Sequence, residues 1–99
     1  MWLPGRLENR DGVLHVDGVS ALELAERFDT PLYVLSEARI RENYRRLHRA
    51  LTRYYQKTRI YYAAKANTGL SVLRILAGEG SYLDAVSPGE GFLALKLSL

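Results

Sequence analysis

The sequence contains no cysteine, so disulfides and thiolate metal centres are excluded. Histidine is scarce too: His15 and His48 are the only two, too few for an ordinary zinc ligand set. No apolar run approaches the roughly 20 residues that span a bilayer. The opening Met-Trp-Leu-Pro-Gly-Arg lacks the basic segment and apolar stretch of a secretory leader. A cytoplasmic location with no membrane partner is the expectation. Internal repeats and low-complexity stretches are also missing. At the other end, Leu93-Ala-Leu-Lys-Leu-Ser-Leu99 has neither a helix-ending glycine nor a polar tail, so the chain is expected to stop inside a helix.

What is present suits a packed core, because 47% of the 99 residues are hydrophobic. The net charge of +3 is concentrated in one segment. Residues 37–59 hold eight Arg or Lys against Glu37 and Glu42, a balance of +6, while the rest of the chain sums to −3.

Turn residues and periodicity order the elements. Arg10-Asp-Gly12 and Asp17-Gly18 bracket the β-prone Val13–Val16, which predicts a short strand or hairpin. Ser20 with Glu23 forms a capping box, so a helix starts at Ala21; it ends near Asp29-Thr30, since Pro31 disfavours helical geometry in the residue before it. Leu32–Leu35 reads as a buried strand, and Ser36 as the N-cap of a longer helix. Along that helix Ile40, Tyr44, Leu47, Leu51 and Tyr54 fall at intervals of four, three, four and three, one apolar stripe with arginines on the other faces. Arg59–Ala64 is a run with little alternation, as in a parallel strand covered on both faces. Leu70–Ala77 predicts a helix ended by Gly78 and Gly80, Tyr82–Val86 a strand, and Ser87-Pro88 a helix opening. From residue 32 the order is β-α-β-α-β-α, the pattern of a parallel sheet with crossover helices.

Lys65 follows the strand at its carboxyl end, where α/β folds place catalytic groups. Flanked by Ala64 and Ala66, its ammonium is expected to be partly desolvated and so readier to act as a nucleophile; a lysine snorkelling into solvent accounts for the position as well. Asp84 stands inside a strand, where aspartate is disfavoured and needs a partner. Glu90 lies in a first helical turn, which the helix dipole favours whatever else it does. Asn67 is read as satisfying backbone groups at the strand end. Arg45, Arg49 and Arg53 form a stripe able to grip phosphates with Tyr54-Tyr55 alongside, or a solvated outer face.

Tyr62-Ala-Ala-Lys65-Ala-Asn67 resembles the Tyr-x-x-Lys-Ala-Asn signature of the fold-type III pyridoxal-phosphate enzymes. Thr30-Pro-Leu-Tyr-Val34 with Ala38-Arg-Ile-Arg-Glu-Asn43, and Leu73–Ala77, resemble the opening of that family's barrel and its next helix. Asp84-Ala-Val-Ser87-x-Gly-Glu90 resembles the stretch typical of its diaminopimelate decarboxylases, with Pro88 where glycine is usual. The resemblance covers nearly all of residues 20–97. It implies an α/β fold, the first β/α units of a TIM-type (β/α)8 barrel like that of alanine racemase. Residues 31–99 would begin the barrel, and residues 1–30 would belong to a β-rich second domain.

The resemblance further implies a decarboxylase acting on meso-diaminopimelate with pyridoxal 5'-phosphate. Lys65 would carry the cofactor as a Schiff base, Asp84 would lie beside it, and Asp84 and Glu90 would assist proton transfer. A homodimer and a small amino-acid substrate are implied for the full-length enzyme, with no nucleic acid and no metal. A complete barrel takes about 250 residues, so the 99-residue chain alone is expected to be inactive. Alternatives are an ornithine or arginine decarboxylase, a racemase, a non-catalytic pyridoxal-phosphate-binding protein, or a basic α/β module that binds nucleic acid.

Overall fold

The structure, a computed structural model, describes residues 7–97. The reading of residues 1–6 as lacking a leader, and Ser98 and Leu99 of the apolar tail, lie outside the described residues. The chain forms two compact units, Met1–Arg39 and Ile40–Leu99.

In the first unit, β1 (Leu7–Arg10), β2 (Val13–Val16) and β3 (Val19–Ser20) form an antiparallel sheet in chain order, with Leu7 opposite Val16 and Val16 opposite Val19. The single hairpin expected from sequence is therefore a three-stranded meander. Both turns are Asp-Gly pairs with positive φ, 53° and 83° at Asp11-Gly12 and 49° and 82° at Asp17-Gly18. That is the backbone of the two-residue turn whose twist matches the flanking strands, and the Asp-Gly sequence supplies it at low strain. The Asn9 side chain tightens the first turn by accepting from the Gly12 N–H at 2.8 Å.

Helix α1 (Ala21–Phe28) starts where expected, with the Ser20 hydroxyl accepting from the Leu22 and Glu23 N–H groups at 3.2 and 3.5 Å. Among the described residues only this serine half of the capping box is made. Leu32–Leu35 is not a strand: the segment is irregular and every residue in it is exposed. A strand exists only through its ladder, and no described strand pairs with this segment. Ser36 does cap the next helix, α2 (Glu37–Thr52), accepting from the Arg39 N–H at 3.0 Å while donating to the Asp17 carboxylate.

In the second unit, β4 (Tyr61–Ala63) and β5 (Tyr82–Asp84) are parallel, joined through α3 (Leu70–Gly78) and followed by α4 (Pro88–Lys96). Their register sets Tyr61 opposite Tyr82, Tyr62 opposite Leu83 and Ala63 opposite Asp84. The buried apolar residues are Ala64, Val72, Leu73 and Leu76, with Leu73 only 1% exposed. Gly80, at φ 94°, turns the chain out of α3 toward β5.

Two sequence expectations change here. The run Arg59–Ala64 shortens to three strand residues, and Tyr61 is half exposed rather than covered, because among the described residues β4 has a ladder partner only in β5. The stripe on α2 is covered only at Ile40 and Tyr44; Leu47 and Leu51 are exposed, and Tyr54, 89% exposed, falls beyond the helix end. Helix α4 closes at Lys96 with Leu97 as its C-cap, so a helix end exists where none was read.

Candidate functional site

The parallel register brings the two candidate groups to one end of the sheet. Asp84 is the last residue of β5 and faces Ala63, the last residue of β4; Lys65 comes two positions later. Between strand and α3 the chain makes a single 3-10 turn, Ala64–Ala66, closed by the Asn67 N–H donating to the Ala64 carbonyl at 3.1 Å. Lys65 is thus on the turn rather than at a strand terminus. Ala64 is fully buried beneath it, while Lys65 and Ala66 are exposed. The expected partial desolvation of the Lys65 ammonium is not the arrangement found, because of its two alanine neighbours only Ala64 is buried and neither covers the exposed lysine. Among the described residues neither Lys65 nor Asp84 makes an ion pair or a side-chain hydrogen bond, so both groups are open to solvent.

Asn67 does what its residue type suggests and more. Its side-chain oxygen accepts from the Gly69 N–H at 2.9 Å, and its carbonyl accepts from the Tyr62 hydroxyl at 3.1 Å. Burial pushes the Tyr62 phenol above its ordinary value. Tyr61, its neighbour, turns to a different use and stacks on Tyr82 at 5.1 Å between ring centroids, with the Arg59 guanidinium over the Tyr82 ring at 5.3 Å.

Glu90 is committed to the opening of α4. The Ser87 hydroxyl accepts from the Glu90 N–H at 3.2 Å, and Glu90 Oε1 accepts from the Val86 N–H at 3.0 Å. Pro88 takes the first helical turn, where its missing N–H costs nothing. Glu90 Oε2 has no partner among the described residues.

The basic stripe of α2 is largely spent inside the unit. Glu79, its side chain 8% exposed, receives Arg45 through Nε at 2.6 Å and Nη2 at 2.9 Å, and Arg41 Nη1 at 2.7 Å. These guanidinium bonds, Arg45 first, hold the Glu79 carboxyl below its ordinary value. Arg49 reaches Glu42 at 3.3 Å. Burial, and then the Glu79 charge, raise the Tyr44 phenol, whose ring stacks on His48. His15 bonds the Val13 carbonyl through Nδ1 at 3.0 Å. Among the described residues no group of three or more metal-ligating side chains occurs, and no helix is long and apolar enough to cross a membrane.

Sequence reasoning missed the Glu79 clamp and the Tyr62 hydroxyl. Tyr62 belongs to the quoted motif, yet its role depends on a turn that no periodicity announces. Glu79 offered no local signal, since Arg45 and Arg41 lie 34 and 38 positions away.

The family model described as pyridoxal-dependent decarboxylase, pyridoxal binding domain, matches residues 37–99. The diaminopimelate decarboxylase of Methanothermobacter thermautotrophicus is 56% identical over 87 residues, which are 88% of this chain and 20% of that protein. That of Staphylococcus aureus is 42% identical over 88 residues, 89% of this chain and 21% of the relative. The crystal structure of diaminopimelate decarboxylase from Methanocaldococcus jannaschii in complex with L-lysine superposes with a TM-score of 0.88 at 42% identity, covering 94% of this chain and 22% of that one. The chain therefore spans about one fifth of the length of these relatives.

Proposed function

The chain belongs to the pyridoxal-dependent decarboxylase family, and from that premise we propose that it is part of a diaminopimelate decarboxylase, a carbon-carbon lyase that converts meso-diaminopimelate to L-lysine in lysine biosynthesis. The observation that carries the reading is the placement of Lys65 and Asp84 at the carboxyl ends of two parallel strands. The residues fit pyridoxal phosphate: the Lys65 amine is exposed and unpaired among the described residues, and the alanines on either side leave room beside it.

Lys65 would hold the group through its amine, with Asp84 beside it. When bound, pyridoxal phosphate supplies an electron sink for the carbon that loses carbon dioxide. Lys65 gives up a proton at Nζ as ammonium and takes one as amine. The Asp84 carboxylate and the unbonded oxygen of Glu90 would be the acceptors that take and return that proton.

The β4-α3-β5 unit, two parallel strands joined by a helix, supports the reading of residues 31–99 as the first β/α units of a TIM-type barrel. The meander of residues 7–20 supports assigning residues 1–30 to a β-rich domain. A homodimer and a cytoplasmic location complete the proposal. The basic-module reading loses ground, since Arg45 and Arg49 are paired with Glu79 and Glu42.

Pyridoxal phosphate followed by borohydride, with peptide mass spectrometry, tests the assignment. Label is expected on Lys65 in preference to Lys57 and Lys96, and no such preference would overturn it. The 99-residue chain alone is expected to release no lysine from meso-diaminopimelate, because most of the length of its relatives lies outside it. Turnover at an ordinary enzymatic rate would contradict that account.

A further inference from the structure

Nothing in the packing holds Lys65 in place. It is exposed, it makes no ion pair among the described residues, and the 3-10 turn that carries it has no side-chain cap at its start, Ala63. Such turns have poorer hydrogen-bond geometry than α-helix and persist only in short pieces. What steadies this one is attached to Asn67. Its N–H donates to the Ala64 carbonyl, its side-chain oxygen accepts from the Gly69 N–H, and its own carbonyl accepts from the Tyr62 hydroxyl. The fit at the second point is close, since a Cβ on Gly69 would stand 3.1 Å from the Asn67 Oδ1 atom. The third point differs in kind. Tyr62 sits in the parallel ladder opposite Leu83, so its bond reaches across the turn from the sheet itself.

We propose that Tyr62 is a positioning residue for Lys65, its hydroxyl tying the Asn67 carbonyl back to β4 so that the lysine's turn keeps a fixed direction from the sheet. The proposal rests on the assignment of Lys65 as the cofactor lysine. The Tyr62 hydroxyl is bonded to the Asn67 carbonyl, and it acts on the lysine through that residue. The aromatic ring alone does not suffice for this task, because the bond is made by the hydroxyl. Tyr61 offers the internal comparison, with a similar ring on the same strand stacked on Tyr82 and no hydroxyl bond among the described residues.

The test uses the 99-residue chain with Tyr62→Phe and, as control, Tyr61→Phe. Two readouts are taken: residue-resolved amide hydrogen exchange without cofactor, and the ratio of pyridoxyl label at Lys65 to that at Lys57 and Lys96 after borohydride reduction. Loss of one ordinary hydrogen bond is worth about fivefold. In Tyr62→Phe, exchange at the Asn67 amide is expected to rise about fivefold while Leu73, in the buried helix, is unchanged, and the labelling ratio to fall by a similar factor. Tyr61→Phe is expected to move neither. Unchanged exchange at Asn67 would overturn the proposal, as would a uniform rise along the whole chain, which marks a merely structural hydroxyl. So would local loosening that leaves the labelling ratio where it was. If the unsubstituted chain shows no preference for Lys65, the cofactor assignment fails, and the exchange readout still separates that failure from this one.

Discussion

Glu79 is the side chain whose charge the second unit uses most directly. Its carboxyl titrates below the ordinary 4.5 because Arg45 and Arg41 bond to it. A group whose folded value is depressed stabilises the folded state above its unfolded value, and that contribution disappears as pH falls through the folded value. The stability of the unit is therefore expected to drop as pH is lowered from about 4.5. In Glu79→Gln the same pH span is expected to be flatter, with a loss of up to about 1 kcal/mol at neutral pH, modest because Arg45 is half in solvent. Thermal unfolding followed by circular dichroism between pH 7 and pH 3 measures both.

At this same scale the sequence was unevenly readable. Lys65 and Asp84 could be singled out because a short motif and a strand-bound acid are local signals. The Glu79 clamp was invisible because its partners come from another helix. The degree of solvation of Lys65 was misread, since alanine neighbours in sequence do not say whether either of them covers the amine.

The elements are held by their ends. Ser87 caps α4 and Glu90 closes the same opening from inside the helix. Ser87→Ala is expected to cost about 1 kcal/mol, and Glu90→Gln, which keeps the shape of the acceptor, less than that. A Glu90→Gln variant that keeps its helix but loses selective labelling of Lys65 would assign the carboxylate to chemistry as well as to capping; denaturant melts run alongside labelling separate the two. Gly12 at φ 83° is the other end-point of this kind. Gly12→Ala is expected to destabilise the meander by about 1–2 kcal/mol, read as a lower denaturant midpoint.

Caps and turns of this kind were legible because each is written within four residues. Strands were not legible to the same extent. Leu32–Leu35 has the composition of a strand but no ladder among the described residues, and Arg59–Ala64 is a strand only where β5 runs beside it. Composition states a capacity for pairing, and the partner decides its extent.

Across the whole molecule the apolar surface is larger than the described core can cover. Among the described residues four apolar side chains are buried, while Leu22, Phe28, Leu35, Val86, Phe92 and Leu95 are all more than half exposed. Leu73→Ala in so small a core is expected to cost about 2–5 kcal/mol, enough to abolish cooperative unfolding of the second unit in a calorimetric scan. Both outer edges of the β4–β5 pair lack a described neighbour. Exposed edges together with apolar patches favour association, so sedimentation velocity is expected to show species growing with concentration.

The lysine turn stands apart from this shortage of cover. Every bond that shapes it, from Tyr62 to Gly69, closes within eight consecutive residues. Loops of about ten residues close in roughly 10–100 ns, whereas the strand pairing that brings in Asp84 must first enclose the whole of α3. The turn that carries Lys65 is accordingly shaped by short loops and the placing of Asp84 by a longer one. A substitution that hinders the β4–β5 pairing is therefore expected to keep the bonds within the turn while the turn loses its fixed direction from the sheet and Asp84 its place at the same end.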